Sequence, residues 1–163
     1  MTTETTARDA GLDRIDIAAI RPLPAIVGGL AGTVAFGGLQ HLAGGAGAIA
    51  MAIPALYGVQ GPALAVGWLI HLAHGAGLGL AYAAVASHGP LLERSTRLPW
   101  AVGFGVAYGV LTTVALAGLV MPLWLGAVGF PNAPPIPNVA LPGLVGHIAY
   151  GVVLALVYAV WPR

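Results

Sequence analysis

Histidines are the residues of this chain whose type and position could support chemistry. Of the five, His41, His71, His74 and His147 fall within or beside long apolar runs, and His88 falls in a short polar turn. An ionisable side chain inside a bilayer is costly to bury, so it is a candidate for function by default. The first question is therefore how the chain positions these imidazoles.

An internal repeat places His71 and His147 at equivalent positions. At a constant offset of 76 residues, the second and fourth apolar runs share eight identities in seventeen positions. These are Gly67/Gly143, His71/His147, Ala73/Ala149, Gly75/Gly151, Leu78/Leu154, Leu80/Leu156, Tyr82/Tyr158 and Ala83/Ala159. The unit is a helical hairpin used twice, over residues 22–88 and 97–162. Two spans per unit make the copies parallel, so a pseudo-two-fold axis along the membrane normal is predicted. The two imidazoles should then face each other at similar depth.

The charges define the spans around these histidines. All eleven charged residues lie in the tail, in one short connection (Glu93, Arg94, Arg97) or at Arg163. Each stretch without charged residues is at least about twice as long as the roughly 20 residues that cross a bilayer. This length predicts two crossings per stretch. We therefore expect an all-α integral membrane protein, a bundle of four transmembrane helices over residues 23–42, 62–87, 99–120 and 141–161. Since every arginine lies on one side, the positive-inside rule predicts a cell-membrane protein with both termini cytoplasmic.

The remaining segments are a tail and two connections. Residues 1–21 are polar and are expected to form a flexible cytoplasmic tail, ahead of a membrane domain over 22–163. The connections 43–61 and 121–140 are apolar, uncharged and broken by glycine or proline. Segments like these either pack over the outer end of the bundle or lie along the headgroups. Both interpretations stay open.

Three interpretations of the histidines also stay open. In the first, His71 and His147 ligate a b-type haem, and Gly75 and Gly151 make room for the macrocycle. In the second, an ion of copper or zinc is bound by imidazoles alone. Its ligands would be His41, His71, His74 and His147. In the third, each neutral imidazole forms hydrogen bonds across helices and fixes their packing.

Composition excludes several classes of function. The chain has no cysteine, which excludes disulfides and thiolate metal sites, and its net charge of +1 gives no nucleic-acid signature. No carboxylate lies in a span to act as a base, so an enzyme is not expected. We expect a non-enzymatic accessory or cofactor-holding subunit of a membrane complex. The alternative is an oligomeric channel or a proton or metal permease that uses the outer histidines.

Small residues predict how the helices pack. Glycines four residues apart allow two helix backbones to approach closely in a bilayer. This spacing occurs at Gly28/Gly32, Gly75/Gly79 and Gly105/Gly109. The spacing does not distinguish contacts within the chain from those of a homo-oligomer.

Two segments resemble known families. The stretch from His147 to Tyr158 is similar to small, uncharacterised four-helix membrane proteins of the YagU-like group. It also resembles haloarchaeal proteins of similar length that are loosely labelled histidine kinases, as does the stretch from Met121 to Pro131. The resemblance implies a four-helix fold in a membrane and no known chemistry. No residues here would bind ATP, so the kinase label implies nothing for this chain.

Overall fold

The computed structural model describes residues 17–162, and long helices dominate it. The tail before residue 17 and Arg163 lie outside the described residues. A short 3-10 turn, Ile17–Ala19, precedes the first long helix. The helices are α1 (Pro22–Leu42), α2 (Leu64–Ala86), the short α3 (Gly89–Ser95), α4 (Leu98–Ala127) and α5 (Leu141–Val160). No strand occurs between residues 17 and 162, so the predicted all-α four-helix bundle is confirmed.

Four of these helices, α1, α2, α4 and α5, are long and apolar enough to cross a membrane. The chain is therefore a multi-pass membrane protein. Prolines at the first or second position begin α1, α4 and α5. This position suits proline because the N–H groups of the first turn have no partner within the helix. The predicted spans match the observed helices within about two residues, with the exception of α4.

Helix α4 extends seven residues beyond its predicted end at residue 120. It contains a π-helical stretch, Thr113–Val120, and continues as Met121–Ala127. Pro122 has no N–H to give to the Gly118 carbonyl one turn earlier. The Asn138 N–H donates a hydrogen bond to the Gly118 carbonyl instead, at 3.0 Å. The predicted connection 121–140 is therefore helical in its first part, because a residue outside the helix satisfies the group that proline leaves free.

The four long helices form an open arc in the order α2, α1, α5, α4. Extensive contacts join α1 to α2, α1 to α5, and α4 to α5. Helices α2 and α4, at the two ends of the arc, do not pack along their lengths. A two-fold relation between the hairpins would require α4 to pack on α2 as α1 packs on α5. That part of the predicted symmetry is absent.

The glycine pairs are all used for contacts within the chain. A Cβ at Gly29 would overlap the Gly75 carbonyl oxygen, and one at Gly105 would lie 2.6 Å from the Gly151 carbonyl oxygen. These two contacts occupy equivalent positions in the two predicted hairpins. The six glycines that are spaced four apart also meet a neighbouring helix. Tight packing through small residues, as the sequence predicted, holds each hairpin together and, at Gly28 and Gly32, also joins α1 to α5 of the other hairpin.

One end of the bundle carries the described arginines and is called the arginine end. Arg21, just before α1, donates hydrogen bonds to the carbonyls of Tyr158, Trp161 and Pro162 at 3.2, 2.9 and 3.2 Å. It thereby caps the final turn of α5, whose carbonyls lack partners within the helix. The start of α1 and the end of α5 thus lie together, as an even number of crossings requires. The opposite end is called the histidine end.

A helical segment closes the histidine end. A π-helical turn, Ala48–Ala52, runs into the short helix Ile53–Ala55, and residues 48–56 are called the cap. Ile49 is 1% exposed, and its carbonyl oxygen fills the space beside Gly67 of α2. Leu56 belongs to a buried cluster with Leu125 of α4. The first connection therefore packs over the bundle, which was one of its two interpretations.

Candidate functional site

The gap between α2 and α4 contains a cavity of about 680 Å³ in the histidine half of the bundle, called the cleft. Its polar groups include three imidazoles and two amides, while most of its wall is apolar. The cleft is open between the helices, since Ala73, Gly77 and Val120 line it and are exposed. Among the described residues, the polar side chains are those of His71, His74, His147, Gln40 and Asn138, together with the Tyr57 hydroxyl and the Trp124 indole N–H.

Phe36 of α1 organises the repeated histidines. Its ring centroid lies 5.3 Å from that of His71 and 4.6 Å from that of His147. The Phe36 ring also fills the space beside Gly146 of α5, where a Cβ would overlap it. The structure thus brings together the two histidines that the sequence pairs. They meet through a phenyl ring that the repeat gave no reason to expect, because residue 112, its counterpart, is threonine.

His147 presents an accessible hydrogen-bond acceptor to the cleft. Its Nδ1–H donates to the Gly143 carbonyl at 2.8 Å. A carbonyl oxygen can only accept, so in the neutral ring Nε2 carries no proton and accepts hydrogen bonds. This Nε2 has no protein partner within residues 17–162 and is not sealed from the surroundings. A ligand with a hydrogen-bond donor therefore has a partner at this position.

His71 has a sealed ring nitrogen. Its Nε2 is buried and has no hydrogen-bond partner in the part of the chain that the structure describes. Phe36 and Trp68 pack beside the ring, with centroid distances of 5.3 and 6.0 Å. Leaving a buried polar atom unsatisfied costs about 1–3 kcal/mol. The free-energy cost of burying His71 Nε2 is therefore not offset by any hydrogen bond within the described residues.

Tyr57, which follows the cap, connects the two sides of the cleft at the histidine end. Its hydroxyl lies 2.6 Å from Nε2 of His74 on α2. Its ring centroid lies 5.4 Å from that of Trp124 on α4. Tyr57 and Trp124 are both exposed. The three side chains form a polar and aromatic rim around the cleft.

His41 lies apart from the other histidines. It is exposed, stacks on Trp68 at a centroid distance of 5.6 Å, and donates from Nδ1 to the Gly37 carbonyl at 2.8 Å. Among residues 17–162, no three histidine, aspartate or glutamate side chains are grouped so that they could hold a metal ion. The four histidines predicted to bind copper or zinc, His41, His71, His74 and His147, are therefore not gathered at one point in this structure. His41 stacks on Trp68 outside the cleft, and His74 is hydrogen-bonded to Tyr57.

Gly75 and Gly151, which the sequence predicted to make room for a haem macrocycle, face neighbouring helices. The space beside Gly75 is filled by Thr33 Oγ1 and the Gly29 carbonyl, and that beside Gly151 by the Gly105 carbonyl. These glycines serve close packing of helices. A porphyrin between the two imidazoles would also have to displace the Phe36 ring, which packs against both.

A second, smaller cavity of about 180 Å³ continues the gap toward the arginine end. Its wall is almost entirely apolar, with Phe104 and Leu111 of α4 opposite Tyr82 of α2. The Tyr108 hydroxyl of α4 donates to the Leu78 carbonyl of α2 at 2.7 Å. Leu78 lines the cleft and Tyr108 lines the smaller cavity. This hydrogen bond therefore crosses the gap where the two cavities meet.

Comparison with protein-family models, with curated proteins and with solved structures finds no match to this chain.

Sequence reasoning identified the histidines of the cleft and missed its aromatic residues. Phe36, Tyr57, Trp124 and Tyr108 have no counterpart of the same type in the repeat. Their departure from the repeat was a signal, because a symmetric hairpin pair would carry the same side chain at both positions. Tyr108 is the clearest instance, since its counterpart is Gly32.

Proposed function

We propose that this chain is a non-enzymatic membrane protein that holds a small, largely apolar molecule in the cleft between α2 and α4. The observation that supports this proposal is the cleft itself. Its volume of about 680 Å³ lies within the roughly 300–1,000 Å³ of small-molecule sites. Such sites combine apolar walls with a few fixed polar groups, which is the composition found here.

The polar groups of the cleft support binding in preference to a reaction. His147 is held by its bond to Gly143, and His74 by its contact with Tyr57. Among the described residues, no carboxylate lines the cleft to orient an imidazole as a base. The one hydroxyl beside an imidazole is the phenol of Tyr57, 2.6 Å from His74 Nε2 at the exposed rim. We therefore assign the imidazoles to orienting a ligand.

The proposal is tested by native mass spectrometry of protein extracted in mild detergent. We expect an additional bound mass in the wild-type protein. Ala117→Trp fills the cleft from α4, and this mass should then be lost. Val114→Trp is the matched control, because Val114 is 50% exposed on the same helix and does not line the cleft. A bound mass that survives Ala117→Trp, or no bound mass in folded wild-type protein, would contradict the proposal.

Haem b is the less favoured ligand, because Phe36 occupies the position between the two imidazoles. Protein purified with haem supplied should show no sharp reduced bands in its visible spectrum after dithionite. Sharp bands that disappear in both His71→Ala and His147→Ala would instead establish haem as the ligand of this cleft.

We further propose that the arginine end faces the cytoplasm of the cell membrane, by the positive-inside rule. The chain would act as an accessory subunit of a larger membrane complex or as a homo-oligomer. The absence of native cysteine allows single cysteines to report the orientation. Glu93→Cys should be protected from an impermeant thiol reagent in intact cells, and Ala43→Cys, at an exposed position of the histidine end, should be labelled. The reverse pattern would contradict this orientation.

Permeation is the second candidate function, and the alignment of the two cavities along α2 and α4 favours it. If the cavities form a pathway for protons or metal ions, liposomes containing the protein should show flux. Ala117→Trp should abolish that flux and Val114→Trp should preserve it. Flux that is indifferent to Ala117→Trp would exclude the cleft as the route.

A further inference from the structure

We infer that the ligand is a long single-chain amphiphile with an uncharged hydroxyl head, bound with the head at His147 and the chain directed along α2 and α4. This inference rests on the proposed function and specifies its ligand. Three features of the structure support it: the tautomer of His147, the absence of charge around the cleft, and the continuation of the gap beyond Tyr108.

The tautomer of His147 selects a donor. Because Nδ1–H is committed to the Gly143 carbonyl, the accessible Nε2 of the neutral ring accepts and cannot donate. A carbonyl, ether or ester head offers only acceptors and would gain nothing there. A hydroxyl head donates to Nε2 and keeps its oxygen available for a second bond.

The surroundings of the cleft select an uncharged head. Within residues 17–162, no lysine, arginine, aspartate or glutamate lines the cleft. Moving an ionised group from water into an apolar site without a partner is far more costly than moving a hydroxyl that is hydrogen-bonded. The described arginines, Arg21, Arg94 and Arg97, which could pair with phosphate or carboxylate, lie at the opposite end of the bundle. The head is therefore a neutral alcohol, phenol or quinol.

The shape of the gap selects a long chain. His74 of α2 lines the cleft and Val85 of the same helix lines the smaller cavity. Between these two residues α2 rises roughly 16 Å. The smaller cavity is apolar and lies in line with the cleft between the same two helices. An acyl or prenyl chain would follow this gap past the Tyr108 ring. A short ligand would occupy the cleft alone and leave the smaller cavity empty.

Photo-crosslinking measures both ends of the ligand. The probes are hexadecanol with a diazirine at the chain end, its methyl ether, and the corresponding octanol. We expect hexadecanol to label the smaller cavity, at Phe104 or Leu111, and octanol to label only the cleft. The methyl ether has the same chain and no donor, so its labelling should be weaker by about threefold to tenfold, the equivalent of one neutral hydrogen bond.

Histidine variants identify the acceptor. His147→Ala should remove the preference for the alcohol over its methyl ether. His41→Ala is the matched control, because His41 makes the same Nδ1–H bond to a carbonyl one turn earlier and does not line the cleft. Its preference should be unchanged. Equal labelling by alcohol and ether in the wild-type protein, or an unchanged preference in His147→Ala, would overturn the assignment of the head.

A filled cavity identifies the position of the chain. Ala107 lines the smaller cavity and is exposed, so Ala107→Trp should fold. It should remove the advantage of hexadecanol over octanol and leave octanol labelling unchanged. If hexadecanol still labels Phe104 or Leu111 in this variant, the chain does not follow the gap. Stronger labelling by palmitic acid than by hexadecanol would also overturn the neutral head.

These outcomes separate the ligand class from the proposed function. If the alcohol, the ether and both chain lengths label the cleft equally, and Ala117→Trp blocks all of them, the cleft binds apolar molecules and only the ligand class is wrong. If no probe depends on Ala117→Trp, both proposals fail.

Discussion

The interface between α1 and α5 and the gap between α2 and α4 would be equivalent under the predicted two-fold repeat, yet one is tightly packed and the other is open. In the packed interface, a Cβ at Gly28 would lie 2.9 Å from the Leu154 carbonyl oxygen, and one at Gly32 would lie 2.6 Å from that of Tyr150. No side chain separates these backbones. The open gap instead contains both cavities.

The difference follows from two residues of α4. Seventy-six residues after Gly28 and Gly32, the chain has Phe104 and Tyr108. At these positions α1 has no side chain, whereas α4 has two aromatic rings facing the gap. Helix α4 therefore cannot approach α2 as closely as α1 approaches α5. In a bilayer, helices associate through close packing because lipid removes the hydrophobic drive. An aromatic residue in place of glycine therefore leaves a cavity between the helices.

The hydrogen bond from Tyr108 to Leu78, called the bridging bond, connects positions that correspond to the packed interface between α1 and α5. The Tyr108 hydroxyl reaches the carbonyl of Leu78, and Leu78 is the repeat counterpart of Leu154. On the packed side, the same carbonyl lies against glycine. On the open side, a tyrosine spans the distance to it. The binding site thus arises where one copy of the hairpin departs from the other.

Gly32→Tyr copies the open side into the packed interface and should have the largest effect. The new Cβ meets the Tyr150 backbone and ring at 2.6 and 2.8 Å, and the backbone cannot move aside cheaply. We expect the free energy of unfolding in mixed micelles to fall by about 3 kcal/mol or more.

Gly103→Tyr is the control, because a Cβ there meets no atom within 4 Å. It should change the unfolding free energy little. If Gly32→Tyr were equally tolerated, close backbone contact would not be what holds α1 to α5.

The sequence predicted the number and type of the long helices because charge-free stretches of this length constrain the number of membrane crossings. Glycine spacing predicted close helix packing but not which helices meet. The continuation of α4 beyond residue 120 was not predicted, because a proline such as Pro122 usually ends a helix. The bond from Asn138 to Gly118, which lets the helix continue, joins residues whose contact depends on tertiary structure.

The site was predicted only in part. The repeat paired His71 with His147, and the structure brings them against one ring. The repeat did not predict that the Phe36 ring would pack against both imidazoles, where a haem would have to lie. It also did not predict the hydrogen bond between His74 and Tyr57. The predicted two-fold symmetry also gave no reason to expect the cleft, because Phe104 and Tyr108, the counterparts of Gly28 and Gly32, played no part in that prediction.

The double variant Phe104→Gly/Tyr108→Gly makes the opposite change and should close the gap. With both rings removed, α4 can approach α2 toward the roughly 8 Å between the axes of closely packed helices. Spin labels at Leu80→Cys and Val106→Cys, in the cysteine-free chain, would report a shorter distance by electron paramagnetic resonance. An unchanged distance would show that the cap or the hairpin connections, and not these rings, hold the gap open.

Tyr108→Phe should have the smallest effect and isolates the bridging bond. It keeps the ring and removes the hydroxyl that donates to Leu78, which should cost about 0.6 kcal/mol, a typical value for hydrogen bonds between membrane helices. Tyr82→Phe is its matched control. The Tyr82 hydroxyl is buried and has no partner among the described residues, so its removal should leave stability unchanged or raise it. The same spin-label pair should show a broader distance distribution in Tyr108→Phe than in Tyr82→Phe. If the two variants behaved alike, the rings alone would set the width of the gap, and the bond across it would contribute nothing to the difference between the packed and open interfaces.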